Sequence, residues 1–495
     1  MSRASNSSFL FFCFAALSAA HIGSPDIYLD GDAGPYKLFV TVRPPQVIPG
    51  VAEIEVRSET PGLSSVQAVP LPLSGAGSEH APLPDSLRRT PGDAQFFTGA
   101  LWLMADGSWQ VKLSVNGSQG AGTLSIPVPA IARTTRTMQW QLGALLSVLG
   151  IFLAGGLAAI AGAAVRDAKV PAGSEAGANA KRRGRIASVI AFAVIAAVLW
   201  GGESWWDSEV DVYRGRIYKP LNMQARLLNG HVLRLNLSEP GWMQPELVRG
   251  KLSQVLFVRK MDDLVLDHDH LMHLYAIRQP GLDVIYHLHP DFVRADEFRL
   301  ALPAMLPGDY KLYADVVHEN GLPETLTASL DLPNGIVAAD ARPLSGDDAL
   351  GEAPPVSQVP LGDSYALPDG YRMRWVHDAT PLRAREAGEF RFELLTPDGS
   401  KPKDMALYMG MLGHAAFVKT DGSVFAHIHP NGSVSMAALR MARGNNGMMG
   451  MPMDESIPNR VAFPYGLPTA GKYRIFVQMK HGSTVETGIF DATAS

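Results

Sequence analysis

The tetrapeptide His287-Leu-His-Pro290 recurs as His427-Ile-His-Pro430, and its surroundings recur with it. His273 precedes the first copy by fourteen residues and His414 precedes the second by thirteen. Gly308-Asp-Tyr310 opens a strand-like run that ends at His318, and Gly471-Lys-Tyr473 opens another that ends at His481. Four histidines therefore fall at corresponding places in two copies of one module. The two copies must share a topology, so the C-terminal half of the chain is one fold used twice.

Side chains at i and i+2 of a strand point to the same face. His287 and His289 therefore project together, as do His427 and His429, and Pro290 and Pro430 end their strands. In the final strands, Tyr310, Leu312, Ala314, Val316 and His318 share one face, as do Tyr473, Ile475, Val477, Met479 and His481. Each of these faces is apolar up to its last residue, so it should pack inward and deliver a histidine at the rim. Val424, Ala426 and Ile428 form the more apolar face of their strand, which leaves His427 and His429 on the other.

The copies differ in length after the motif. His289 to Gly308 is 19 residues, whereas His429 to Gly471 is 42. The longer connection is Gly-rich and carries Met436, Met441, Met448, Met449, Met451 and Met453; Met409 and Met411 lie just before His414. Imidazole binds copper, zinc, nickel and iron, and thioether favours Cu(I), so this inventory points to copper over zinc. The expected copper module is His414, His427, His429 and His481, with Met448, Met449, Met451 and Met453 as an entry or Cu(I) site. His273, His287, His289 and His318 are the matching set in a first copy that reads as mainly structural. Asp267-His268-Asp269-His270 is either a source of further ligands or a solvated polar turn.

A chain of 495 residues should hold about three domains. The net charge of -5 is spread out, with no basic stripe of the kind that binds nucleic acid. Residues 1–20 read as a signal peptide, with Arg3 in a short polar start, an apolar run Phe9–Leu17 and small residues Ser18-Ala19-Ala20. The only cysteine, Cys13, lies inside it, which removes disulfides and thiolate sites from the processed chain. Residues 140–165 and 186–202 are long and apolar enough for transmembrane helices. The basic loop 166–185 between them carries Arg166, Lys169, Lys181, Arg182, Arg183 and Arg185, and the positive-inside rule places it in the cytoplasm. Residues 21–133, 206–340 and 356–495 then lie outside the cytoplasm, each as short strands between turn signals, with Pro343–Gln358 as linker. Cleavage after Ala20 would make His21 the first residue, offering an α-amine and an imidazole, half of a copper-binding histidine brace. The only other histidine of that part is His80. No Walker, dinucleotide or nucleophile-elbow pattern is present.

The run Met409-Gly410-Met411-Leu-Gly413-His414, with Phe425-Ala-His427-Ile-His429-Pro430 and Gly471-Lys-Tyr473, resembles a module of exported bacterial proteins linked to copper and other heavy metals. Its sandwich is similar to the YtkA/FixH-like and CopC-like families. His21-Ile-Gly-Ser-Pro25, Asp32-Ala-Gly-Pro35-Tyr36 and Gly107-Ser-Trp109 resemble the extracytoplasmic part of bacterial two-span membrane proteins. The resemblance implies metal handling. The combined expectation is a mainly β protein: three Ig-like or cupredoxin-like β-sandwich domains and two transmembrane helices in the bacterial inner membrane. Copper tolerance, storage or delivery is the expected role, with membrane lipid and an envelope copper-handling or respiratory-oxidase assembly protein as partners. A mononuclear copper oxidase or oxygenase centred on His21, and an Ig-like scaffold without metal, are the alternatives.

Overall fold

The computed structural model describes residues 21–74, 81–240, 261–337, 339, 341–356, 360–378, 380–443 and 456–495. The signal-like segment 1–20, His80 and the methionines Met448, Met449, Met451 and Met453 lie outside the described residues.

The chain is mainly β, and its described residues form six sheets packed in pairs around three cores. In the N-terminal part, alternating runs such as Tyr36–Arg43, Gly50–Ser58 and Gly107–Gly117 turn every second residue inward. Val40, Val42, Ile54, Val56, Val111 and Leu113 meet in one core as a result.

Each repeat pairs a four-stranded sheet with a six-stranded one. In the first repeat the larger sheet runs Leu264–Val265, Gly308–His318, His273–Gln279, Val284–Leu288 and Ala349–Glu352, with Pro323–Leu332 also on Gly308–His318. Ala349–Glu352 lies within the stretch expected to be linker, but it pairs antiparallel with Val284–Leu288 and closes that edge. The second repeat has the same order: Met405–Ala406, Gly471–His481, His414–Lys419 and Val424–Ile428, with Thr484–Ala494 on Gly471–His481. Its outer edge is filled instead by His21–Ile22, parallel to Val424 and Phe425.

Both larger sheets are buried on both faces. Leu274, Ala276, Tyr286 and Leu288 face their own small sheet. Tyr275, Ile277 and Ile285, of opposite parity, pack against Ala416, Val418 and Phe425 of the other repeat. The repeats thus meet sheet to sheet. The parity that leaves His427 and His429 off the more apolar face directs them into this interface.

Helix α1, Trp140–Asp167, and helix α2, Ala178–Gly215, are both long and apolar enough to cross a membrane. Helix α2 starts earlier and ends later than the expected 186–202, so the basic residues Lys181–Arg185 sit in its first turns and not in a loop. The two helices touch at Ala158, Gly162, Ala180 and Gly184, while Leu145, Ile151, Phe152, Val189 and Phe192 stay exposed. The methionine-bearing insertion is not a plain loop at its start. Met436–Arg443 forms helix α3, and Leu439 enters the N-terminal core.

Candidate metal centre

Eight of the chain's 14 histidines gather where the two repeats meet: His268, His270, His273, His287 and His289 from the first, His414, His427 and His429 from the second. The expectation of one working module and one structural copy does not describe this arrangement, because both repeats line a single site. The strands explain it. His273 and Tyr275 share the interface face of their strand, and His287 joins them from the neighbouring one.

The repeats are related by an approximate twofold, visible in the ring-centroid distances. His273–His287 is 5.5 Å and His414–His427 is 5.3 Å. His287–His289 is 4.7 Å and His427–His429 is 4.5 Å, while His273–His289 and His414–His429 are both 5.1 Å. Contacts across the interface also come in matched pairs. His287 Nδ1 meets Gln478 Oε1 at 2.9 Å, and His427 Nδ1 meets Asp315 Oδ2 at 3.1 Å. Lys311 Nζ donates to the Gly422 carbonyl, and the buried Arg474 guanidinium donates to the Leu282 carbonyl.

Hydrogen bonds orient the rings. The Nδ1–H of His268 donates to the Met409 carbonyl at 2.7 Å and that of His429 to the Val434 carbonyl at 3.1 Å. His427 donates to Asp315, and His289 Nδ1 lies 3.4 Å from Asp348 Oδ1. Fixing Nδ1 on an oxygen leaves Nε2 as the lone pair, the arrangement that metal-ligating histidines adopt. Nε2 of His268, His289, His427 and His429 and both ring nitrogens of His414 have no hydrogen-bond partner among the described residues. Two sets of three have ligand atoms all within 4.8 Å of one another: His268, His414 and His429, and His273, His287 and His289.

His273, His287, His414, His427 and His429 are neutral bases. Burial first, then repulsion from neighbouring imidazoles, holds His273, His287 and His414 well below the ordinary histidine range. The same causes hold His429 well below it and lower His427 to about 3. Burial raises Asp315 to about 7. A cavity of about 100 Å³ adjoins the cluster, lined by Asp267, His273, Asp315, Glu324, His427 and His429 among others.

His318 and His481 do not reach the cluster. They share the core-facing parity of their strands, opposite to the face that carries the cluster. Each sits between carboxylates instead: His318 on Asp263 at 2.6 Å and Glu324 at 3.2 Å, His481 on Asp404 at 3.3 Å and Glu486 at 3.4 Å. Asp369, His481 and Glu486 form a third, more exposed group of possible ligands. The backbone of His21 lies beside Val424.

Two of the eight, His268 and His270, come from a segment that the sequence also allows as a polar turn. It is a tight hairpin: the Asp267 and His270 backbones bond each other, and His268 and Asp269 have φ of 51° and 67°. Tyr408-Met409-Gly410-Met411 forms the matching turn, with φ of 50° and 77° at Met409 and Gly410. His273 follows His268 by five positions, and His414 follows Met409 by five. That match was the available signal, hidden because the two turns share no residue.

The N-terminal part steadies this region. Asp30 N–H donates to the Asn431 carbonyl, Ser433 N–H to that of Tyr28, and Gly23 N–H to that of Phe425. Val434, whose carbonyl holds His429, is part of the N-terminal core. Asp267 Oδ1 accepts from Ala437 N–H at 2.7 Å in the first turn of helix α3.

Residues 365–495, the second repeat, match a family described as a domain of unknown function, DUF8832. No curated protein matches the chain. Among solved structures, a tetra-tandem repeat from the extending region of a large adhesion protein is similar at 8% identity and a TM-score of 0.15, over 90% of this chain and 71% of that one. Salmonella alpha-2-macroglobulin is similar at 10% identity and a TM-score of 0.20, over 96% of this chain but only 24% of that protein. A putative membrane anchored protein from Corynebacterium diphtheriae gives 7% and 0.13, over 94% of each chain. Likenesses this weak carry no information about fold or function.

Proposed function

We propose that the chain is a membrane-anchored copper-binding protein of the bacterial periplasm, serving tolerance, storage or delivery to an envelope partner such as a respiratory-oxidase assembly protein. One observation carries the reading: eight histidines from two repeats converge on one buried site with their Nε2 lone pairs largely unused. A buried polar atom without a partner costs about 1–3 kcal/mol. Six such nitrogens would cost about as much as the 5–15 kcal/mol that stabilises a typical domain. A bound cation removes that penalty, and neutral imidazoles are ready to take one.

The donor set supports copper. It is imidazole without thiolate, in a chain whose one cysteine is Cys13, with methionines both in the turn at Met409 and Met411 and in the segment after helix α3. Zinc would use the imidazoles but has no need of the thioethers. Two candidate spans with basic residues between them support β-rich parts on one side of the inner membrane, away from the cytoplasm. Paired sheets support an Ig-like or cupredoxin-like sandwich for each part.

The test is metal analysis of the full-length protein in detergent, stripped with chelator and then offered Cu(I), Cu(II) or Zn(II). A variant carrying His427→Ala and His429→Ala is treated alongside. Copper retained by the parent and lost by the variant supports the proposal. A parent that retains no more copper than the variant contradicts it.

A further inference from the structure

We propose that the cluster is a two-ion centre with unequal positions. One ion sits on His268, His414 and His429, bridging the repeats. The other sits on His273, His287 and His289, where the thioether of Met409 takes the place that His268 has in the first, making this position the softer one. The proposal rests on the metal-binding reading above and adds its stoichiometry and its asymmetry.

The twofold supplies the argument. His268 comes from the first repeat but lies against the second, 5.0 Å from His414 and 4.9 Å from His429 between ring centroids. The mates of His414 and His429 are His273 and His289, and the mate of His268 is Met409. Met409 is buried, and its turn has the same left-handed backbone as that of His268. The Met409 carbonyl already accepts from His268 Nδ1, so the two turns touch. Applied to a site made of His268, His414 and His429, the twofold gives one made of Met409, His273 and His289; His287, whose mate His427 is outside the first set, joins the second through its contact with His273. The second copy replaces both turn imidazoles at once, since the mate of His270 is Met411. Thioether selects Cu(I) where imidazole also serves Cu(II) and zinc.

The second position has a further polar conflict that a cation would relieve. His273 Nδ1 and His287 Nε2 face each other at 3.3 Å. His273 donates from Nε2 to the Asp267 carbonyl, and His287 donates from Nδ1 to Gln478 Oε1, so both facing atoms carry lone pairs. A cation between them satisfies both. Without one, turning the Gln478 amide over lets its Nε2, which has no partner, donate to His287, and His287 then donates to His273.

The experiment titrates full-length protein in detergent with Cu(I) under a competing chromophoric chelator, and separately with Zn(II). Four variants are compared with the parent: His429→Gln, His289→Gln, Met409→Leu and Met409→His. The expected parent binds two Cu(I) per chain. Each glutamine variant keeps one. Met409→Leu weakens one Cu(I) at least tenfold and leaves Zn(II) unchanged, and Met409→His strengthens one Zn(II). A single ion per chain lost by either glutamine variant, or Cu(I) binding indifferent to both Met409 variants, overturns the two-ion centre while leaving metal binding intact. A parent that binds neither metal removes the underlying reading as well.

Discussion

Acidifying the metal-free protein from about pH 7.5 to about 5.5 should load protons onto the histidines of the unfolded chain and not onto those in the cluster. Burial and mutual repulsion keep His273, His287, His414 and His429 far below the ordinary histidine value and His427 at about 3. For a base depressed in this way the unfolded state binds the extra protons, so stability falls as pH falls below about 6.5. One unit below that value costs about 1 kcal/mol per histidine, so five of them give a loss of about 5–7 kcal/mol. Groups raised in the folded state act in the opposite direction. Asp30 and Asp106, each raised to about 6 by burial, together offset about 1–2 kcal/mol. Asp315, raised to about 7 by burial, takes up its proton in the folded state across this range and offsets about 2 kcal/mol. Burial alone would lower His318, but its bonds to Asp263 and Glu324 prevail and raise it. Its contribution is complete below the unfolded value and is lost as pH rises through the folded one. The net expectation is a loss of about 1–3 kcal/mol on acidification. Urea unfolding in detergent with a chelator present measures it, together with hydrogen exchange of the His273–Gln279 and Val424–Ile428 strands. Copper-loaded protein should resist to lower pH, because the ion holds the lone pairs that protons would take. A metal-free midpoint that is flat or rises on acidification would show that the cluster is not a set of buried neutral imidazoles.

Three further outcomes are expected. His318→Ala removes the cation between two buried carboxylates and should destabilise the first repeat by about 3–5 kcal/mol. His481→Ala leaves the buried Glu486 but also the part-exposed Asp369 and Asp404, and should cost less, about 1–2 kcal/mol; thermal unfolding should separate the two while copper content stays unchanged in both. Gly432 has φ of 119°, and a side chain there would run into the Tyr28 carbonyl, so Gly432→Ala should add strain of about 1–3 kcal/mol. Faster exchange at Leu29 and weakened metal retention would mark undocking of the N-terminal part. Arg474→Met leaves Asp491 without its bidentate partner and drops the bonds to the Leu282 and Pro354 carbonyls. A loss of about 3–5 kcal/mol, read by denaturant unfolding, is expected.

The repeat, the strand periodicity and the two apolar helices were legible in the sequence because each is a local pattern. The inward face ending in His318 and His481 was legible too, and it accounts for why those two histidines stay apart from the rest: the face that fills the core is opposite the one that forms the interface. What the sequence did not disclose is that the second face of each large sheet is also buried. Ile285 and Phe425 mark it only weakly, and its cover lies about 140 residues away in the other copy. Without that docking, His287 and His427 read as members of two sites and not of one. The equivalence of His268 with Met409 was obscured for a different reason. A hairpin turn is specified by backbone sign at two positions, and His-Asp and Met-Gly both supply it. Helix α3 is not legible in the sequence because a Gly-rich segment follows its one buried face, Ala438, Leu439 and Ala442.

The most direct measurement is a crystal structure of the copper-loaded full-length protein with anomalous data collected at the copper edge. Two peaks are expected in the interface between the repeats, one beside His268, His414 and His429 and the other beside His273, His287 and His289. A peak at Asp369, His481 and Glu486 alone, or no peak between the repeats, would contradict this.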